Sequence, residues 1–163
     1  MRASKAQAGA LVAIAALALA GVTAAYVVDG RPPGACDVLR PAEVERIAGV
    51  AGGPEPFEPE NTGIESTGCS YGQGEPGAYV TVFSVAHGGL DMMRRARDAG
   101  AAHGAASTPL DGPGYEGYAT GGPRAGSESA VVVKHDHYVD VLVYNAPAGT
   151  AAQLARVAAG RLR

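Results

Sequence analysis

Tryptophan is absent from the 163 residues, and phenylalanine and cysteine occur only twice each. With so few large rings, a core must come from Val, Ala, Leu and some of the seven tyrosines, which leaves it thin for the chain's length. No run of five basic residues occurs, and beyond residue 25 there are 11 Lys and Arg against 16 Asp and Glu. Nucleic acid and anionic lipid surfaces are therefore poor partners on electrostatic grounds. No C-x-x-C pair is present, so zinc and thioredoxin-type chemistry lack their spacing. A G-x-S-x-G elbow for a serine nucleophile is also missing. Gly112-Pro113-Gly114 and Gly121-Gly122-Pro123 are glycine-rich, but proline removes amides that a phosphate cradle needs. No cofactor, no metal and no catalytic set is expected.

What is present begins with the leader. Arg2 and Lys5 precede an uncharged run from Ala8 to Val28, closed by Asp29 and Arg31. As a helix this run spans about 31 Å, the thickness of the bilayer's hydrocarbon core. The basic flank holds the N-terminus in the cytoplasm and sends the rest outward. Leu11 to Ala20 has the length of a signal-peptide core, and the small residues around Ala24 and Ala25 offer cleavage sites. Tyr26-Val27-Val28 prolong the apolarity as an anchor would. Both outcomes stay open: a single-pass protein held in the cell membrane with its C-terminal domain outside, or a secreted one. The expected organisation is a signal peptide or transmembrane anchor over 1–28, a linker over 29–35 and an extracytoplasmic domain over 36–163.

Export fits the cysteines. Cys36 and Cys69 are an even pair beyond the leader, which in an oxidising compartment reads as a disulfide. Cys36 lies eight residues past the apolar run and behind two charges, too far to be a lipid-modified cysteine.

Helices are expected over Pro41–Gly49, Leu90–His103 and Thr150–Arg163, from apolar positions at helical spacing and from Pro41 and Gly49 at the ends of the first. Strands are expected over Thr67–Gly72, Ala78–Ala86, around Tyr115 to Tyr118, and over Ser129–Lys134 and Tyr138–Asn145. The last two form a hairpin turning at His135-Asp136. Gly52 to Thr62, with three prolines, reads as a connector. The fold class is α+β: an antiparallel sheet of four or five strands with about three helices, covered mainly on one face, preceded by a hydrophobic helix.

His135-Asp136-His137 contains metal-ligand types, but a hairpin tip turns the imidazoles apart and leaves them as solvated turn residues. His87 and His103 flank the middle helix with surface or capping roles. Glu116, Asp136 and Asp140 have nothing in the sequence to bring them together. One surface stands out: Tyr138, Leu142 and Tyr144 share a side of the last strand, with Tyr115 and Tyr118 alongside. If the sheet's second face is bare, these five form an aromatic binding patch; a covering helix would make them core.

Cys36-Asp37-Val38-Leu39-Arg40-Pro41-Ala42-Glu43-Val44, followed by Gly68-Cys69-Ser70-Tyr71, resembles the opening of an actinobacterial envelope domain of unknown function found in secreted lipoproteins and membrane-anchored proteins. The arrangement is also remotely similar to external sensor domains of receptor kinases. The resemblance covers Cys36 to about Leu162 and implies an extracytoplasmic α+β domain with one disulfide and no assigned activity. Two features depart from that pattern: no cysteine is placed for lipidation, and Arg40 stands where Ser or Thr would cap the helix, a loss of about 1 kcal/mol. The expected function is a non-enzymatic envelope module binding a ligand or protein partner, touching the membrane only through an uncleaved leader. The alternatives are an accessory or sensor subunit of an envelope signalling system and a hydrolase, which would need a carboxylate and a histidine converging in a pocket.

Overall fold

Pro41 opens and Gly49 closes the first helix, α1 (Pro41–Ala48). Proline's fixed φ suits the first turn, and Gly49 takes φ 70°, a left-handed conformation that costs a glycine nothing. Arg40 offers no side-chain cap; instead Glu43 reaches back to accept the Arg40 amide at 2.9 Å. A computed structural model describes residues 33–59, 65–72, 77–121 and 126–162. The leader expected over 1–28 lies outside them. Among the described residues no helix is long and apolar enough to cross a membrane.

Strands follow as β1 (Glu55–Phe57), β2 (Ser66–Tyr71) and β3 (Tyr79–Val85), then helix α2 (Gly89–Ala102). After it come β4 (Ser107–Pro109), β5 (Glu116–Gly121), β6 (Ser127–Lys134), β7 (His137–Tyr144) and helix α3 (Thr150–Ala159). The sheet is antiparallel in the order β1-β2-β3-β7-β6-β5-β4. The α+β class holds, but the sheet has seven strands, not four or five. The additions, β1 and β4, are three residues long and lie at the two edges. Each contains a proline, Pro56 or Pro109, a residue tolerated at an edge because it withholds a ladder amide and blunts further pairing.

Alternation along β7 divides the two faces. His137, Val139, Val141 and Val143 point to one side with Val80, Val82, Ala130 and Val132, where α1 and α3 cover them. Val44 and Ala48 of α1 and Leu154, Ala155 and Ala158 of α3 complete that core. Arg161 ties the layers together: it donates to the Val38 carbonyl at 2.7 Å and pairs with Glu43 at 2.5 Å.

Cys36 and Cys69 are joined, with Cα atoms 5.1 Å apart, so the segment before α1 is stitched to β2. The Ala35 amide adds a 2.8 Å bond to Thr67 Oγ1, and Ala35 is buried. Pro33 to Ala35, the described end of the segment expected as linker over 29–35, are thus docked on the domain.

Candidate functional site: an open aromatic half-face

The other face of the sheet is only half covered, and the β6–β7 hairpin decides which half. His135 and Asp136 both have positive φ, 50° and 66°, as a two-residue turn with the sheet's twist requires. This aims Asp136 at α2: its carboxylate accepts the Gly88 amide at 2.8 Å and the Leu90 amide at 3.4 Å, and its carbonyl accepts Gly89 at 2.9 Å. Those backbone bonds hold the Asp136 carboxyl below its usual pKa. Gly89 permits the approach, since a Cβ there would lie 2.5 Å from the Asp136 carbonyl oxygen. Of the three residues expected at a solvated tip, His135 and Asp136 are exposed, although Asp136 also caps α2, whereas His137 is 3% exposed.

Anchored at that end, α2 lays Met93, Leu90 and Met92 over Val85, Tyr118, Val131, Val133 and Tyr138. Its remaining residues are mostly charged or small and exposed, so its apolar stripe stops there. Beyond α2 no helix among the described residues covers the face across β1, β2, β3 and the far half of β7. Four strands about 4.8 Å apart make a platform about 14 Å across.

Aromatic residues furnish this platform. Phe57, 37% exposed, meets Phe83 edge-to-face with centroids 5.6 Å apart and lies over Gly68, where a Cβ would fall 2.5 Å from its ring. Tyr79 and Tyr144, opposite one another on β3 and β7, stack at 4.2 Å. Between these pairs lie Thr81 and Leu142, directly opposed and half-buried.

The five residues expected to form one patch therefore separate. Leu142 and Tyr144 belong to the platform. Tyr118 and Tyr138 are buried beneath α2, which raises the pKa of both hydroxyls. Tyr115 packs against the core on the opposite face, its ring closing over Gly112. Phe57, Phe83 and Tyr79 join the platform instead. Alternation within β3 offered a signal for Phe83 and Tyr79, but only the β3–β7 register aligns them with Leu142 and Tyr144.

Asp140 sits at the boundary between the covered and open halves, opposite Phe83 on β3 and Val131 on β6. Ser129 Oγ donates to it at 2.9 Å, and the Tyr138 hydroxyl supplies a second hydrogen bond. Burial outweighs both bonds and pushes the carboxyl up to about 6.

Two other arrangements were chemically suggestive. Ser84 Oγ lies 2.7 Å from His137 Nε2, a nucleophile–base distance. Both residues are 3% exposed and the hydroxyl also bonds the Pro33 carbonyl at 3.3 Å, so the pair secures the chain's entry to the core. Burial lowers the His137 pKa. His87 and His103 are exposed, and no carboxylate is bonded to His137 among the described residues. A groove of about 220 Å³ lies at the β4–β5 edge beside α3. Its one charged residue, Glu128, already accepts the Gly149 and Ala151 amides of the α3 start. Among the described residues no group of three His, Cys, Asp or Glu is placed to hold a metal.

No known protein family, curated protein or solved structure matches this chain. The resemblance to an envelope domain thus rests on sequence motifs and their order, the Cys36–Val44 and Gly68–Tyr71 stretches foremost.

Proposed function

We propose that this protein is a non-enzymatic binding module of the cell envelope, exported by its leader and docking a partner on the open half-face. The carrying observation is the platform itself: Phe57, Phe83, Leu142 and the Tyr79–Tyr144 stack, with no helix over them among the described residues, on a sheet whose opposite face carries α1 and α3. Aromatic residues with few competing rotamers, beside a polar rim, are the composition of interface centres. Export is supported by the basic-apolar order of residues 2–28 and by the disulfide just beyond it.

A photo-crosslinking residue at position 142, in protein expressed in its native host, tests the reading against the same residue at exposed Gln153 on α3. The expected result is a discrete adduct in the envelope fraction from position 142 only. Identical patterns from both positions, or none from 142, would remove the platform as a docking surface.

A further inference from the structure

We infer that the open half-face receives an arginine or lysine side chain of a partner protein, laid over Phe83 and Leu142 against the Asp140 carboxylate. This rests on the reading of that face as a docking surface and names the chemistry it selects. Charge is the first ground. The charged strand residues on the open half are both acidic, Glu55 on β1 and Asp140 on β7, and Glu116 on β5, beside the covered half, has the same sign. The sheet's one basic strand residue, Lys134, is on the other face, bonded to the Ala159 carbonyl of α3. On α2, Arg95 pairs with Asp91 and Arg97 with Asp98.

Asp140 is the carboxylate placed to use a cation. Its partners among the described residues are a hydroxyl from Ser129 and one from Tyr138, neither of them charged. It stands directly across from Phe83, next to the strand residues that α2 covers, and is itself half-buried. A carboxylate beside a half-buried ring suits a guanidinium, which bonds the oxygens with its edge and stacks with its plane. Burial leaves this carboxyl near pH 6, ionised at neutral pH but poorly compensated, and an incoming cation would relieve that cost.

A protein partner suits this sheet surface better than a small molecule, whose sites are concave. A second copy of the chain fits poorly. An isologous pair through this face would bring two Asp140 and two Glu55 carboxylates into one interface without a counter-charge.

The test titrates the isotope-labelled full chain with acetyl-Leu-Arg-Leu-amide and with the same peptide carrying citrulline, a neutral isostere of arginine. Amide shifts are expected on β3 and β7 around Phe83, Asp140 and Leu142. The arginine peptide should bind about tenfold tighter at pH 7.5, as a charge-assisted bond to a half-buried carboxylate allows. Asp140→Asn should abolish that preference, and so should pH 5 with the unaltered chain, an arm that stands even if the variant does not fold. Equal affinity of the two peptides at the platform would overturn the cationic inference while leaving the docking face. Failure of both peptides to shift these residues would count against both, and an arginine preference that survives Asp140→Asn would place the charge recognition elsewhere.

Discussion

The carboxylate of Asp136 and the amide of Gly88 meet at 2.8 Å across 48 positions of sequence. This bond fixes where α2 begins and, through that, which half of the sheet stays bare. Asp136→Ala should lower the melting temperature and speed amide exchange through the first turn of α2, whereas Asp136→Asn should keep most of the protection. Because the Asp136 carboxyl is held low, its contribution is present above the ordinary carboxylate range and is lost only as pH falls through its depressed folded value. Unchanged exchange in the alanine variant would show that packing of Met93 alone seats the helix.

His137 and Asp140 pull pH dependence in opposite directions. The unfolded His137 takes up a proton near 6.5 while the buried ring resists it, so its share of stability is lost as pH falls below about 6.5. The Asp140 carboxyl titrates near 6 in the fold against 3.8 unfolded, so the folded state holds the extra proton and stability declines as pH rises through that window. Asp140→Asn is therefore expected to stabilise the protein at pH 7.5, by up to about 3 kcal/mol, with the gain shrinking below pH 6. Urea midpoints at pH 7.5 and 5 for the wild type, Asp140→Asn and His137→Gln separate the two. A destabilised Asn variant at pH 7.5 would mean that the ionised form is well compensated.

The Cys36–Cys69 bond closes a loop of 33 positions, which by chain entropy stabilises by up to about 3.8 kcal/mol. Paired Cys36→Ala and Cys69→Ala changes should cost about 2 to 4 kcal/mol in denaturant unfolding. Protein taken from its native host under acid quench should show no alkylated thiol. Two freely reactive thiols would contradict an oxidising location.

Two glycines should respond differently to alanine. At Gly117 the new Cβ would lie 2.3 Å from the Val131 carbonyl oxygen. That atom cannot retreat without parting β5 from β6, so a loss of about 2 kcal/mol or more is expected. At Gly68 the Cβ would meet the Phe57 ring, which can swing aside. Stability should then change by less than about 1 kcal/mol while the Phe57–Phe83 contact is lost. Thermal melts and ring NMR signals distinguish these outcomes, and a Gly68→Ala loss as large as that of Gly117→Ala would show Phe57 to be rigidly held.

Strong alternation made the β6–β7 hairpin legible, apolar spacing marked α1 and α3, and Pro41 and Gly49 bounded the first of them. Glu55–Phe57 and Ser107–Pro109 could not be read as strands, since three residues with a proline carry no period. The binding face was half legible. Leu142 and Tyr144 show in the alternation of β7, whereas Phe57 and Phe83 depend on pairings between distant segments.

Local sequence determined the elements, the two faces of each strand and the paired cysteines, because periodicity and turn chemistry act over a few residues. Tertiary structure decided which of those faces a helix covers. That choice depends on Asp136 reaching Gly88 and on strands separated in sequence lying side by side, and contacts of that range leave no periodic trace in the chain.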